Sequence, residues 1–296
     1  MTRCLLLVLV VLGGCGTPVD AGAADARAWP EDAEPVRPDG DASDAGSEDA
    51  DAASADAAPA DAGRAIDAGS EPECDALLCD GFESGDIDAS VWTVIAERAE
   101  VRVDDTRAAH GRYALHVTAE GVASNGIIRE RATFPVAGNA FYVRAYVWLA
   151  RPLPITNFNV ITAAGTIAGT SESASYRMGG QAVPWGDPGA PRVLRANYQP
   201  LDRPQRSATE VPRGRWACWE WHVDGANDAA RFWLDGERLR DLDITRDTRP
   251  GPWTAPEYGR LDLGFGHGHD DPAERFEVWI DDVVVSTTRI GCEVAE

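Results

Sequence analysis

The sequence predicts an all-β fold, an antiparallel two-sheet β-sandwich or jelly roll, which is preceded by a disordered tether. Residues 74–296 contain about eleven short runs in which apolar and polar residues alternate, and turn-forming residues separate these runs. No stretch of this part has the apolar stripe of an amphipathic helix. Because its length is sufficient for one substantial core, we expect residues 74–296 to form a single domain.

The predicted strands follow one another closely along this domain. Short strands separated by Gly, Pro, Asn and Asp are typical of sandwiches and jelly rolls. Asp235 and Gly236 are a two-residue turn signal, so residues 233–237 are expected to form a hairpin. The predicted strands cover residues 101–104, 113–119, 127–134, 141–150, 157–163, 192–199, 216–223, 231–234, 239–244, 260–265 and 276–286.

The first residues of the chain are typical of an export signal. Arg3 precedes an apolar run over residues 5–12, which is far shorter than the ~20 residues of a membrane-spanning helix. The sequence LGGC that ends at Cys15 resembles the lipobox of bacterial lipoproteins. The resemblance implies removal of residues 1–14 and lipidation of Cys15, whose acyl chains would suffice for stable anchoring. An ordinary signal peptide with an incidental cysteine is the alternative.

The residue after Cys15 is Gly16. Lipoproteins that remain at the inner membrane carry an aspartate at this position. The resemblance therefore implies the outer membrane or the cell surface of a Gram-negative bacterium, with the lipid as the chain's contact with the membrane.

Residues 15–73 are expected to be a disordered tether. They consist mainly of Asp, Ala, Gly, Pro and Ser, with too few branched or aromatic side chains to offset the entropy of ordering. As a flexible coil the segment would span roughly 40–45 Å, enough to lift the domain off a membrane. The alternative is a segment whose length has no role.

The chain has a formal net charge of −22. This charge argues against nucleic acid, and against anionic lipid and acidic polymers as nonspecific partners. It does not argue against a single groove that binds an acidic ligand.

Four cysteines belong to the exported domain: Cys74, Cys79, Cys218 and Cys292. An even number in an oxidising compartment favours two disulfides. Three connectivities are available, of which we favour Cys74–Cys79 with Cys218–Cys292. The spacing does not provide a CxxC metal site.

Three stretches occur in an order that resembles a known family of polysaccharide-active folds. They are CDGFESG from Cys79, followed by Trp92; AHGRYALHV from Ala109; and VWIDDVVV from Val278. Together with FYVRAYV from Phe141 and the WACWEW strand, they resemble the concanavalin-A-like jelly roll of glucuronan and alginate lyases and of carbohydrate-binding modules. The resemblance extends from Cys74 to Cys292 and implies a polysaccharide partner on the concave face.

The same resemblance implies a structural calcium ion and no organic cofactor. Glu83 would be one ligand and Asp282 or its neighbour Asp281 another, with carbonyl groups of residues 104–111 completing the shell. A hard cation requires several oxygen donors at once, which a jelly roll can bring together from both chain ends. The alternative is that the two aspartates only protect an edge strand from pairing.

The strand WACWEWHVD, residues 216–224, divides into two faces by alternation. Trp219 and Trp221 lie on an apolar face and are expected in the core. Glu220 and Asp224 are about 13 Å apart on a strand, too far for a glycosidase pair. The residues expected to line a glycan-binding concave face are Tyr142, Arg144, Tyr146, Trp148, Trp216, Glu220 and His222.

A lyase would need a cation for the uronate carboxylate, a base and an acid. Arg129 and Arg131, in a stretch that resembles the Arg-x-Glu-x-Arg strand of alginate lyases but is one residue shorter, and Arg144 are the candidate cations. Tyr198 is a candidate acid or base because RANYQ resembles the Lys-Ala-Gly-x-Tyr-x-Gln strand of those enzymes, and His222 is a candidate base. The Gln-x-His strand of alginate lyases is absent, because residues 159–165 read NVITAAG.

We therefore expect a monomeric, surface-anchored lipoprotein that binds polysaccharide. A polysaccharide lyase acting on uronic-acid glycans by β-elimination is the alternative, and a structural or adhesive surface protein is a third. The cluster GHGHDD at residues 266–271 could hold zinc or be a polar turn without metal.

Overall fold

The computed structural model describes residues 74–200, 204–248 and 252–292. The expected signal peptide (1–14), the lipidated Cys15 and the tether (15–73) lie outside the described residues and stay predictions. No helix within the described ranges is long and apolar enough to cross a membrane.

The described residues form fifteen β-strands and three single turns of 3₁₀ helix, which confirms the all-β expectation. The 3₁₀ turns are Ala137–Asn139, Gly225–Asn227 and Arg240–Leu242. The strands are β1 (Leu78–Asp80), β2 (Trp92–Glu97), β3 (Ala99–Asp104), β4 (Ala114–Glu120), β5 (Ser124–Glu130), β6 (Ala140–Leu149), β7 (Asn157–Thr166), β8 (Ser173–Ala182), β9 (Arg192–Gln199), β10 (Gln205–Glu210), β11 (Trp216–Asp224), β12 (Ala229–Leu234), β13 (Glu237–Arg238), β14 (Glu257–His267) and β15 (Arg275–Ser286).

The strands form two antiparallel sheets. Sheet A has the order β13-β12-β11-β6-β15-β4-β3, and β1 also pairs with β15. Sheet B has the order β10-β9-β8-β7-β14-β5-β2. Neighbours in a sheet are mostly distant in sequence, as β11, β6 and β15 illustrate, which is the pattern of a jelly roll.

The core lies between the inner faces of the two sheets. Trp219 and Trp221 of β11 are fully buried in it, as their alternation predicts. Phe141 of β6 contacts Tyr258 of β14 edge to face, with ring centroids 5.5 Å apart, and so joins the two sheets. Each strand therefore commits one face to the core and has only its other face for polar chemistry.

Most predicted strands are present, with three kinds of difference. Residues 239–244, predicted as a strand, contain a 3₁₀ turn and a single bridge at Ile244. The predicted strand 127–134 ends at Glu130, before the cis Phe134–Pro135 bond. β2, β8 and β10 were not predicted, because each carries polar or small residues that weaken the alternation.

The C-terminal segment crosses the outer face of sheet A and is fixed there by Glu220. The Glu220 carboxylate is fully buried and accepts hydrogen bonds from the backbone N–H groups of Ile290 (2.9 Å) and Gly291 (3.0 Å) and from Arg289 Nε (3.1 Å). The Tyr146 hydroxyl donates to the carbonyl of Cys292. Both favoured disulfides, Cys74–Cys79 and Cys218–Cys292, are confirmed, and the second fixes the end of this segment to β11.

Removing the Glu220 carboxylate is expected to detach this segment. Glu220→Ala leaves two buried N–H donors and one guanidinium without their acceptor, so we expect a loss of about 2–4 kcal/mol in the free energy of unfolding. Glu220→Gln keeps the shape and one acceptor oxygen and should lose less. Urea unfolding monitored by tryptophan fluorescence measures both, and equal stability of Glu220→Ala and the wild type would contradict the assignment.

Candidate functional site

The residues expected to bind glycan do share one surface, the outer face of sheet A. The register of β11 against β6 places Trp216 opposite Trp148, Glu220 opposite Arg144 and His222 opposite Tyr142. The alternation of these strands was therefore interpreted correctly.

The polar side chains of this face are nevertheless occupied by one another. Glu220, Arg144 and His222 are 0%, 6% and 8% exposed. His222 stacks on Tyr142 with ring centroids 4.1 Å apart, and burial, followed by the nearby Arg231, lowers the pKa of His222, so the ring is neutral at pH 7. Glu220 and His222 are buried in this structure, because the C-terminal segment and their neighbours cover them, and a role in glycan binding stays a prediction.

The tryptophans at the other end of this face are also engaged. Trp148 and Trp216 meet edge to face, with centroids 5.9 Å apart. The exposed Arg107 guanidinium lies 4.5 Å from the Trp148 ring centroid and 4.9 Å from that of Trp279. These two tryptophans remain half-buried, and their outer surface is shared with Arg107.

The expected catalytic residues are dispersed over the molecule. Tyr198 is fully buried in the core, where its hydroxyl does not reach the surface, and its expected role as acid or base stays a prediction. Arg144 and His222 lie on sheet A, whereas Arg129 lies on sheet B. Arg131 is exposed beyond the end of β5, so it does not continue the face of Arg129. These residues do not form one site.

A cavity of about 320 Å³ lies on the outer face of sheet B, and we call it the sheet B groove. Its floor is formed by the polar faces of β5, β14, β7 and β8, neighbours in the sheet. The lining residues that carry functional side chains are Asn125, Arg129, Asn159, Thr162, Arg177, Arg260 and Asp262.

The register of sheet B aligns these side chains into a row that crosses the strands. Arg129 pairs with Asp262, Asp262 with Thr162, and Thr162 with Arg177. Since directly opposite residues on one face lie about 5 Å apart, the row can contact successive parts of an extended ligand.

Irregular pairing bends the floor beneath the groove. The registers of β7 and β14 shift between Asn159 and Ile161 and between Leu263 and Gly266. Such bulges increase local twist and often lie beside functional sites. Gly264, within the second irregularity, has φ +145°, and a Cβ there would lie 2.2 Å from the Gly126 carbonyl oxygen, so this close approach requires glycine.

The groove is cationic although the chain is acidic. Three arginines and one aspartate among its lining residues leave a formal charge of +2. Arg129 holds Asp262 through two hydrogen bonds of 2.6 and 2.9 Å, and these bonds raise the pKa of Arg129 above its ordinary value. Arg260 approaches the same carboxylate at 3.4 Å. The Asp262 carboxylate thus accepts hydrogen bonds from both the Arg129 and the Arg260 guanidinium groups.

Arg177 was missed by sequence reasoning because β8 was missed. Its Nε donates to Ser175 Oγ (3.1 Å), and an Nη donates to Gln199 Oε1 (3.0 Å), and these two contacts orient the guanidinium. The signal was present, since Ala174, Tyr176 and Met178 alternate with Ser175 and Arg177. The two consecutive glycines at 179 and 180 obscured it.

His267 lies at one end of the groove but directs its ring inward. It packs against Phe265 and Phe276, and its Nε2 contacts the Glu120 carbonyl at 2.8 Å, which assigns the proton to Nε2. Its Nδ1 is buried and has no partner among the described residues. His269 instead contacts Trp185, and no group of three or more potential metal ligands occurs in the described ranges. The zinc alternative is therefore not supported.

Glu83, Asp281 and Asp282 converge on the loop before β4. Glu83 accepts from the N–H groups of Arg112 (2.9 Å) and Tyr113 (3.0 Å), and Asp281 from that of Ala109 (2.7 Å).

Gly81 lies beside Asp282 and the stem of Glu83, since a Cβ there would be 3.6 Å from Asp282 Oδ1 and 3.8 Å from Glu83 Cγ, whereas the Glu83 carboxylate lies against Gly111. Burial, followed by the charge of Asp282, raises the pKa of Asp281 to about 7. Carboxylate oxygens suit a hard cation in kind. In this conformation they accept hydrogen bonds from backbone N–H groups, Asp282 contacts His110, and the three side chains are not grouped as a metal site in the described ranges.

Comparison with known proteins identifies one family and several similar structures. Residues 81–288 match the family model described as Polysacc_lyase-like, Cip1-like core domain. The structure of Cip1, a cellulose-induced protein, is similar with a TM-score of 0.59 and 24% identity, over 73% of this chain and 100% of that chain. An endo-β-1,4-glucuronan lyase from the fungus Trichoderma reesei is similar with a TM-score of 0.53 and 13% identity, over 72% and 96%. At these identities the two structures show the fold. The search of curated proteins found no match.

Proposed function

The chain belongs to the Cip1-like family of polysaccharide-lyase-like core domains, and on that premise we propose that it binds an acidic polysaccharide in the sheet B groove. A polysaccharide-related function follows from the family. The finer assignment, to uronate-containing chains and to this groove, rests on its arginine-lined floor.

The charge of the groove is the observation that carries the proposal. Arg129, Arg177 and Arg260 outnumber the single carboxylate of Asp262 in a chain of net charge −22. Guanidinium groups bind carboxylates through directed pairs of hydrogen bonds. A uronan presents one carboxylate per sugar, so an extended chain across the strands can offer separate carboxylates to Arg129 and Arg177, at the two ends of the row.

The groove is better equipped for binding than for β-elimination. A lyase requires a base at C5 and an acid at the leaving oxygen. In the described residues, Tyr176, Tyr198 and Tyr258 are buried in the core, Tyr142 and Tyr146 lie on sheet A, and Tyr113 lies in the loop before β4 of that sheet. Asp262 is the carboxylate of the groove, and Arg129 engages both of its oxygens. The membership of a lyase-like family nevertheless makes the lyase the rival to test.

Replacing one groove arginine should weaken binding to a uronan. Arg177→Ala removes a charge-assisted contact worth about 1.5–3 kcal/mol, so we expect affinity for polyglucuronate to fall about 10- to 100-fold. Raising the ionic strength should weaken wild-type binding as well. Affinity electrophoresis and calorimetry measure both effects.

Arg107→Ala is the matched control, because it removes the same charge from the outer face of sheet A. Loss of binding in Arg107→Ala but not in Arg177→Ala would transfer the site to sheet A. The rival function predicts that the wild type forms an unsaturated product, detected by its ultraviolet absorbance, and that Arg177→Ala does not. That result would show that the groove is the site of a lyase and not a site for binding alone.

Calcium is proposed as a structural ion at Glu83 and Asp282. The ion would offset their negative charge and join the first strands to β15, and loop carbonyls and water would complete its shell. The proposal is supported by the contacts of both carboxylates with the loop before β4, Glu83 with the N–H groups of Arg112 and Tyr113 and Asp282 with His110.

Removing this ion should destabilise the domain. We expect chelation to lower the melting temperature and added calcium to restore it, because the ion binds the folded state only. Asp282→Asn should abolish the calcium response, whereas Asp270→Asn, on an exposed loop, should retain it. Calorimetry of the chelated wild type that shows no response to calcium would rule out the site.

Anchoring through Cys15 is the proposal for location. It is supported by the LGGC sequence and the apolar run before it. Cys15→Ser should move the protein from the membrane to the soluble fraction and abolish incorporation of labelled palmitate, since the acyl chains supply the membrane affinity. Cys4→Ser, within the expected signal, is the matched control. A Cys15→Ser protein that still fractionates with membranes would contradict lipidation.

A further inference from the structure

The loop of residues 183–191, which joins β8 to β9, exposes a tryptophan. Trp185 is 47% exposed and is the one aromatic residue among the exposed large hydrophobic side chains of the described ranges. The exposed face of its indole is therefore available to stack against a ligand.

The loop that carries Trp185 is held in one conformation. Arg192 is buried and donates hydrogen bonds to the carbonyls of Leu153, Pro154, Pro188 and Ala190, two of them within the loop itself. The N–H of Gly186, next to the tryptophan, donates to the Ile155 carbonyl at 2.8 Å. The indole is therefore presented by a preorganised loop, and a ligand would not have to order it.

Trp185 stands at one end of the sheet B groove. Its ring meets that of His269 at 88°, with centroids 5.1 Å apart. His269 directly follows Gly268, which lines the groove. The loop begins where β8 ends and β9 starts, at the paired residues Ala182 and Arg192. Asn159 of β7 and Gly266 of β14, which both line the groove, pair with each other near this same end of sheet B.

We propose that Trp185, with His269 against it, is a sugar-stacking subsite that extends the sheet B groove. It takes a pyranose ring of the same polysaccharide chain whose carboxylates the groove arginines hold. This inference rests on the proposed function. An indole offers a broad apolar surface that suits the C–H face of a pyranose, whether the sugar is a uronate or neutral. The subsite therefore contributes affinity according to chain length and not according to charge.

The test measures binding of β-1,4-linked oligoglucuronates, from the disaccharide to the octasaccharide, by calorimetry. Trp185→Ala should lower affinity for the octasaccharide about tenfold, the loss of one aromatic contact, and leave the affinity for the disaccharide unchanged. Trp185→Phe should retain part of the octasaccharide affinity. Leu77→Ala, an exposed apolar side chain beside β1 of sheet A, should bind every length as the wild type does.

The outcomes separate the subsite from the groove. A Trp185→Ala protein that binds the octasaccharide as tightly as the wild type overturns the subsite alone. An equal loss at every length, with an unchanged melting temperature, overturns it too, because the effect would not depend on reaching the end of the groove. A wild type that binds no oligoglucuronate overturns the proposed function and the subsite with it.

Discussion

The packing of two sheets through one apolar interior is the constraint on which the rest of the molecule depends. Strands such as β11 and β14 place Trp221 and Leu263 in that interior, and alternation then directs the neighbouring residues outward. Function is restricted to two outer faces. The C-terminal segment occupies part of the face of sheet A, whereas sheet B keeps a cavity among charged side chains.

Each outer face has a buried carboxylate, Glu220 on sheet A and Asp262 on sheet B, and the two carboxylates have different kinds of partner. On sheet A the Glu220 carboxylate satisfies backbone donors of the chain itself, so its hydrogen-bonding capacity serves the fold. On sheet B, Arg129 and Asp262 hold each other in a fixed geometry while Arg260 and Arg177 add charge beside them. A charge held by its neighbours before the ligand arrives loses little entropy on binding. The Arg129–Asp262 ion pair therefore fixes the position of one guanidinium group and leaves the groove with a net positive charge.

The sequence predicted which side chains of a strand point into the core, but it did not predict which strands are neighbours in a sheet. Alternation is a local property, so Trp219 could be assigned to the core and Glu220 to the opposite face from nine residues. Membership of a sheet depends on pairings between residues far apart in the chain, such as β6 with β11, and no local pattern encodes them. Arg129 was identified, but its companions Arg177 and Asp262 were not, because their proximity exists only through the register of sheet B.

A cationic groove in a strongly acidic chain has a consequence for how an acidic polymer would be recognised. At a distance the net charge of −22 repels such a polymer, and at physiological ionic strength this repulsion decays over about 8 Å. The attraction of the arginines acts at contact, where hydrogen bonds to carboxylates form. Nonspecific association is thus suppressed, while a chain that fits the groove gains the directed contacts. Since electrostatic steering by the whole molecule opposes the encounter, discrimination among acidic polymers would arise from the fit within the groove.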